Sequence, residues 1–207
     1  MELKNINVGF ALTGSFCTFK KVIPKIKELK DLGANILTIM SYNSYNFNTK
    51  FGKAKDFIEE IEGITENKII HTIQGAEPIG PKSLTDIMVV APCSGNTLAK
   101  LANSIIDTPS TMAIKSHLRN QRPLVVGIST NDGLSGSAEN IGKLLNRKNY
   151  YFVPFTQDNP ITKPTSLVFK FDYLIPTIKE ALNNKQLQPI ICLLYTSPSP
   201  RDAHESR

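Results

Sequence analysis

Apolar and polar residues alternate along this chain in two patterns. Short apolar runs bounded by small or polar residues predict strands at 6–12, 36–39, 69–70, the run that ends at Pro92, 124–128 and 151–153. Between them, apolar side chains recur three and four residues apart, which predicts helices with one buried face. The defining residues are Phe19, Val22, Ile23 and Ile26; Phe57, Ile58 and Ile61; Leu98, Leu101, Ala102 and Ile105; Ile141, Leu144 and Leu145; and Leu174, Ile175, Ile178 and Leu182.

Strands that alternate with helices are typical of βαβ units, in which a parallel sheet is covered on both faces. We therefore expect one α/β domain over residues 1–191, with a three-layer Rossmann-like (flavodoxin-type) fold. Pro24 lies within the first helical pattern, where proline costs about 3 kcal/mol, so we expect a late helix start or a kink there. Residues 192–207 hold three Ser and two Pro without periodicity, which predicts a disordered or non-native tail.

Composition narrows the class of protein. No apolar run approaches the roughly 18 residues of a membrane span, and we expect no signal peptide, because a strand pattern begins almost at once. The three cysteines Cys17, Cys93 and Cys192 are widely spaced, which fits a reducing cytoplasm better than a disulfide scaffold. The net charge is +6, but the lysines are scattered among acidic residues, which disfavours nucleic-acid binding. A basic balance suits an anionic cofactor and a dicarboxylate substrate.

Two predicted strands end in small polar residues that lead into a helix. Thr13-Gly14-Ser15 follows the first strand, and Pro92-Cys93-Ser94-Gly95-Asn96-Thr97 follows a later one. A helix N-terminus offers free N–H groups and a positive dipole end to a phosphate, and the side chains of Ser94, Asn96 and Thr97 add short hydrogen bonds. Neither turn has the glycines of a dinucleotide or Walker A motif. The turns favour a nucleotide-type cofactor, although ordinary Ser/Thr caps explain either turn alone equally well.

Together, the two turns resemble the flavoprotein family of homo-oligomeric, flavin-containing cysteine decarboxylases. The Pro-Ala-Ser-Ala-Asn-Thr signature of that family reads Pro92-Cys93-Ser94-Gly95-Asn96-Thr97 in this chain. Within the family, the chain is most similar to a branch that takes part in dipicolinate synthesis in spore-forming bacteria. The segments that match this branch are 119–123, 128–134, 151–158 and 185–189, and the resemblance extends over about residues 1–191.

The resemblance implies FMN at the carboxyl ends of the strands, where doubly wound sheets bind their ligands. Polar turns at 13–15, 41–44, 92–97 and 129–132 all follow predicted strands. The family assigns Gly14, Ser15 and Ser41 to the phosphate end, and Ser94 to Thr97 to the phosphate and ring surroundings. Asn131 matches an Asn near the flavin. The expected cofactor residues are therefore Thr13, Gly14, Ser15, Ser41, Pro92, Ser94, Gly95, Asn96, Thr97 and Asn131.

The chain departs from the decarboxylases where their chemistry lies. The position of their histidine base falls near Pro78, His71 is too far upstream to replace it, and 159–170 lacks the cysteine of their substrate flap. The resemblance instead implies a subunit of an oxidoreductase that forms dipicolinate in the mother-cell cytoplasm during sporulation. A partner subunit similar to nicotinamide-binding dehydrogenases would bring NADP. An FMN-dependent decarboxylase of a cysteine-derived substrate, or a non-catalytic scaffold subunit, remain alternatives.

Several single residues have two interpretations. Cys93 is interpreted as a small apolar spacer rather than a reactive thiol. His71 is expected at a strand end, exposed or packed, and His117 in a loop without an evident partner. Arg119 and Arg122 either grip a substrate carboxylate or belong to a solvated loop. A further pair, Glu77 and Lys82, flanks a Pro/Gly-rich loop on the substrate side or at an oligomer contact.

Overall fold

The structure is a computed structural model that describes residues 2–192, so residues 193–207 of the predicted tail lie outside the described part. Within it the strands are β1 Asn7–Leu12, β2 Asn35–Met40, β3 Ile87–Cys93, β4 Leu124–Thr130, β5 Tyr150–Phe152, β6 Phe155–Asn159 and β7 Lys163–Phe169. The helices are α1 Phe19–Asp31, α2 Tyr42–Asn46, α3 Ala54–Thr65, α4 Ile73–Ala76, α5 Gly95–Ala102, α6 Pro109–Leu118, α7 Ala138–Leu145 and α8 Leu174–Leu182. Short 3₁₀ turns span Phe16–Thr18, Glu77–Ile79 and Phe171–Tyr173.

The strands form one mixed sheet in the order β2-β1-β3-β4-β7-β6, and β5 also pairs with β4. Strands β1 to β5 are parallel, which confirms the predicted α/β fold. Strands β6 and β7 form an antiparallel hairpin, and β7 runs antiparallel to the end of β4. The sequence did not predict this hairpin, which lies beside the end of β4.

The core lies between the sheet and two groups of helices. Every residue of β3 is buried, as expected for a parallel strand covered on both faces. Helix α1 packs against α3 and α8, whereas α6 contacts α4 and α5, and α5 contacts α7. Among residues 2–192, no helix is both long and apolar enough to cross a membrane.

Helix α1 begins at Phe19 and continues through Pro24, so the expectation of a late start is wrong. Proline removes one N–H, whose partner would be the carbonyl of Lys20. Both Pro24 and Lys20 are exposed, so water can satisfy that carbonyl. The buried side chains on the opposite face are Phe19, Val22, Ile23, Ile26 and Leu29.

Three local expectations differ from the structure. Helix α5 ends at Ala102, and Ile105, expected on its buried face, lies beyond the helix with 47% of its surface exposed. His117 belongs to helix α6 rather than to a loop. The expected strand at 69–70 is a single bridge between Ile70 and Ile39.

Candidate functional site

The exits of β1 and β3 are joined by one buried hydroxyl group. Thr13 is 1% exposed, and its Oγ1 donates to the carbonyl of Pro92 at 2.7 Å. The same oxygen accepts the N–H of Ser94 at 3.0 Å. Thr13 and Pro92, both expected to touch a cofactor, therefore lie behind the exit turns. Thr13 fixes the position of the α5 N-terminus relative to β1.

The N-terminus of α5 is capped by Ser94. Its Oγ accepts the N–H of Thr97 at 3.4 Å and lies 3.2 Å from the Thr97 hydroxyl. The next two N–H groups, of Gly95 and Asn96, have no acceptor among residues 2–192. These two donors and the positive end of the helix dipole suit a phosphate or another anion.

Two neighbouring cavities lie at this edge of the sheet, and Gly14 and Ser94 line both. The small cavity has a volume of about 360 Å³, and its lining includes Ser41, Asn96 and Thr97. The large cavity, about 680 Å³, is lined among others by Ser15, Gly95 and Asn131. The structure thus brings together eight of the ten residues expected at the cofactor, all except Thr13 and Pro92.

The exit of β4 is tied to the other two exits. Ser15 Oγ donates to the carbonyl of Ser129 at 2.6 Å. The carboxylate of Asp132 accepts the hydroxyl of Thr130, and that of Ser137 at 2.8 Å; hydrogen bonds from these two hydroxyls hold the pKa of Asp132 below its usual range. This cluster crowds Gly95, so the turn at 129–132 lies directly against the α5 N-terminus.

Ser41 follows β2 and caps the short helix α2. Its side chain is buried, lies 2.9 Å from the Ser44 hydroxyl and accepts the Ser44 N–H at 3.3 Å. The hydroxyl therefore serves as an ordinary helix cap, although the residue also lines the small cavity.

Sequence reasoning missed several residues that line the large cavity. Phe16 and Cys17 directly follow the Thr13-Gly14-Ser15 turn, which is a signal that could have found them. Lys21 comes from α1, and Lys50 comes from the turn before α3. Hairpin residues complete the wall: Asp158, Lys163, Ser166, Leu167 and Val168.

Arg119 and Arg122, for which a carboxylate grip and a solvated loop were both open, lie at the opposite end of the strands. Arg122 stands 3.4 Å from Asp86, which precedes β3, and also donates to the carbonyls of Ser83 and Thr85. Arg119, at the end of α6, lies beside Gly80. Neither arginine lines either cavity, so the structure gives no support to a carboxylate grip at this site.

His117 has two hydrogen-bond partners, contrary to expectation. Its Nδ1 lies 2.8 Å from the hydroxyl of Thr85 and its Nε2 lies 2.9 Å from the carbonyl of Pro123. Because a carbonyl only accepts, Nε2 carries the proton and Nδ1 accepts from Thr85. Burial lowers the pKa of His117 to about 4, so the ring is neutral near pH 7. His117 joins α6 to the starts of β3 and β4.

The remaining candidates are not placed for catalysis at the cavities. Cys93 is fully buried and burial raises the pKa of its thiol, which fits the spacer interpretation. His71 is exposed and stacks on Tyr45 with 3.9 Å between ring centroids. Pro78 and Glu77 lie in a 3₁₀ turn next to α6, and Lys82 follows that turn. Glu77 and Lys82 are exposed, and none of the three residues lines either cavity.

Residues 1–165 match the family model described as Flavoprotein. This chain belongs to the Flavoprotein family. Among its members, the B subunit of dipicolinate synthase from Bacillus subtilis (strain 168) is 46% identical over 194 residues, which cover 94% of this chain and 97% of that protein. The crystal structure of the corresponding B subunit from Bacillus halodurans C is similar with a TM-score of 0.87 and 44% identity, over 94% of this chain and 100% of that one.

The fold is shared more widely. The FMN-dependent cysteine decarboxylase SpaF superposes with a TM-score of 0.64 over 86% of this chain and 98% of its own, at 20% identity. At this identity the similarity concerns the fold alone. The family assignment therefore rests on the Flavoprotein match and on the two relatives from Bacillus.

Proposed function

We propose that this chain is the flavoprotein-like B subunit of a dipicolinate synthase. The observation that carries this proposal is the 46% identity to the Bacillus subtilis protein, which extends over nearly the whole of both chains. The same near-complete coverage is found for the protein from Bacillus halodurans C. Because the alignment covers nearly all of both chains, neither chain has a large segment that the other lacks.

The proposed cofactor is FMN, bound across the two cavities. Two unpaired N–H groups at the α5 N-terminus and the hydroxyls of Ser94 and Thr97 supply donors of the kind that hold a phosphate. The other proposed contacts are those of Gly14, Ser15, Ser41, Gly95, Asn96 and Asn131, with Thr13 and Pro92 as support behind them. When bound, a flavin supplies hydride or single-electron transfer.

The proposed reaction converts 4-hydroxy-tetrahydrodipicolinate to dipicolinate. One water leaves, and the ring loses a hydride and a proton to become aromatic, so the complex needs a two-electron acceptor. The partner, the A subunit of dipicolinate synthase, would provide NADP as that acceptor, because this chain lacks the glycine-rich dinucleotide motif. The two proteins would act together in the mother-cell cytoplasm of a spore-forming bacterium.

A decarboxylase of a cysteine-derived substrate is the lesser candidate. The position of the family's histidine base falls near Pro78, which packs beside α6 and lines neither cavity. The segment 159–170 contains no cysteine and belongs largely to the β6–β7 hairpin. A general base and a flap thiol of the decarboxylase kind are thus missing from the places where that chemistry needs them.

Two measurements test the proposal. Purified chain should take up FMN at tens of micromolar, seen as flavin absorbance that stays with the protein on gel filtration. Precursor and NADP are then mixed with the partner subunit, with and without this chain, and dipicolinate is followed. Equal rates in both mixtures would refute an essential role in the reaction. Full rates with a flavin-free chain would favour the scaffold alternative.

A further inference from the structure

The charged side chains that line the large cavity carry a net positive charge. Four charged side chains line it, and two of them, Lys163 and Asp158, pair at 2.5 Å. The other two, Lys21 and Lys50, have no carboxylate within 4 Å among residues 2–192. In the small cavity, by contrast, the only charged pair among the described lining residues is Lys100 with Asp107, at 2.7 Å. The residues that line the large cavity thus carry a net charge of +2, whereas the pair in the small cavity is neutral.

Lys50 is held at the tip of a tight turn. Thr49 and Gly52 exchange backbone hydrogen bonds of 3.0 and 3.1 Å, and Phe51 N–H donates to Thr49 Oγ1 at 3.2 Å. Gly52 has φ +155°, and a Cβ there would lie 2.5 Å from the ring of Phe57. The turn is therefore packed onto α3 rather than loose, and it places the exposed side chain of Lys50 at the cavity lining.

Lys21 lies in the first turn of α1, where a positive charge opposes the helix dipole and destabilises the helix. Its ammonium lies 5.3 Å from the ring centroid of Phe171, and that of Lys50 lies 5.3 Å from the ring of Phe51. These are cation–π distances, and both rings also line the cavity. Two cations and two aromatic faces in one cavity match a flat ligand with two negative charges.

We propose that the part of the large cavity lined by Lys21 and Lys50 binds the planar dicarboxylate of the reaction beside the flavin, and that the two lysines hold its carboxylates. The proposal rests on the proposed function for the identity of the ligand, whereas the charge and the aromatic faces rest on this chain alone. The cofactor phosphate has its own donors at the α5 N-terminus, so it does not require these lysines.

The test measures binding of pyridine-2,6-dicarboxylate to the full, FMN-loaded chain by calorimetry in metal-free buffer. Lys21→Gln and Lys50→Gln should each raise the dissociation constant about three- to tenfold, and the double variant should raise it further. Pyridine-2-carboxylate, with one carboxylate, should bind more weakly and lose less. Lys20→Gln and Lys53→Gln are the controls, since both lysines are exposed neighbours outside the cavity lining. FMN affinity should stay unchanged in all variants.

Three outcomes overturn the inference. If the double variant loses FMN affinity and keeps dicarboxylate affinity, the lysines hold the cofactor phosphate instead. Unchanged affinity for both ligands would make them solvated surface groups. If the wild-type chain takes up FMN but binds no dicarboxylate, this inference fails while the proposed cofactor stands. If it binds dicarboxylate but no FMN, the proposed cofactor fails while this inference stands.

Discussion

At the scale of single residues, Gly95 decides how closely two exit turns can approach. A Cβ at this position would lie 2.6 Å from Thr130 Oγ1, 2.8 Å from Ser137 Oγ and 2.9 Å from Asp132 Oδ1. The family signature has alanine here. In this chain, the space that the methyl group of alanine would need is taken by the hydroxyls of Thr130 and Ser137 and the carboxylate of Asp132. The φ of Gly95 is not in the left-handed region, so the backbone conformation does not require glycine here. Glycine is required because the neighbouring side chains leave no space for a Cβ.

Gly95→Ala should therefore weaken FMN binding at least tenfold and lower the free energy of unfolding by about 1–3 kcal/mol, because the turn at 129–132 must move. Flavin titration and urea unfolding measure the two effects. Gly142→Ala is the matched control, since Gly142 lies in α7 with open space around its Cβ position. It should leave FMN binding alone and stabilise by up to about 1 kcal/mol. Equal behaviour of the two variants would contradict the role of Gly95.

His117 predicts a pH dependence of stability. Its pKa is about 4 in the folded chain, against about 6.5 when unfolded, so the unfolded state binds more protons between these values. The stabilising contribution is complete above pH 6.5 and is lost as the pH falls toward 4. A pKa difference of this size corresponds to roughly 3 kcal/mol.

Urea unfolding at pH 7.5, 6 and 5 checks this prediction. His117→Gln should be less stable at pH 7.5 but show a flatter dependence on pH, whereas exposed His71→Gln should keep the wild-type slope. A slope that survives in His117→Gln would assign the titration to other groups.

At the scale of elements, Thr13 links the β1 exit to the β3 exit with one hydroxyl. Thr13→Val keeps the shape but leaves the N–H of Ser94 and the carbonyl of Pro92 without this partner, at a cost of about 1–3 kcal/mol. Because Ser94 caps α5, FMN affinity should fall as well, whereas Thr13→Ser should retain most of both. Thermal unfolding and flavin titration measure the outcome, and wild-type values for Thr13→Val would exclude the link.

The alternation of elements can be predicted from sequence because β1, β3 and β4 are buried and the helices α1, α3 and α8 each have one polar face. Helix α6 gives no amphipathic pattern, because it is buried on nearly every side and its own buried residues include small polar ones such as Ser110, Thr111 and Ser116. The strand β6 also has no apolar run that would predict it, because Gln157, Asp158 and Asn159 are polar and lie at the edge of the sheet.

The candidate site also has residues that the sequence predicts and residues that only the structure reveals. Small polar residues after apolar runs identify the exit turns at 13–15, 41–44 and 92–97, because the topology of a parallel sheet collects them at one edge. Lys21 and Lys50 give no such signal, since only the packing of α1 and of the turn at 49–52 brings them to one cavity. The sequence left the role of Arg119 and Arg122 open for the converse reason, because their charge suits a substrate site but only the structure shows that they lie at the other edge of the sheet.

At the scale of the whole molecule, exposed apolar residues form a cluster beside the cavities. Tyr42, Phe47 and Phe51 lie within one ten-residue segment beside the cavities, and Phe47 is 55% exposed. Clusters of this kind are typical of protein interfaces, and the family that this chain resembles is homo-oligomeric. We therefore propose that the segment 42–51 packs against a second copy of the chain.

Phe47→Glu should weaken self-association at least tenfold, because it places a charge where an aromatic side chain is buried between the two copies. Light scattering across a concentration series measures the mass, and FMN affinity should fall in parallel, since Tyr42 and Phe51 of the same segment line the cavities. Leu145→Glu is the control, because Leu145 is similarly exposed but ends α7 and lines neither cavity. A monomeric wild-type chain would refute the assembly, and an unchanged mass for Phe47→Glu would move the interface to another surface.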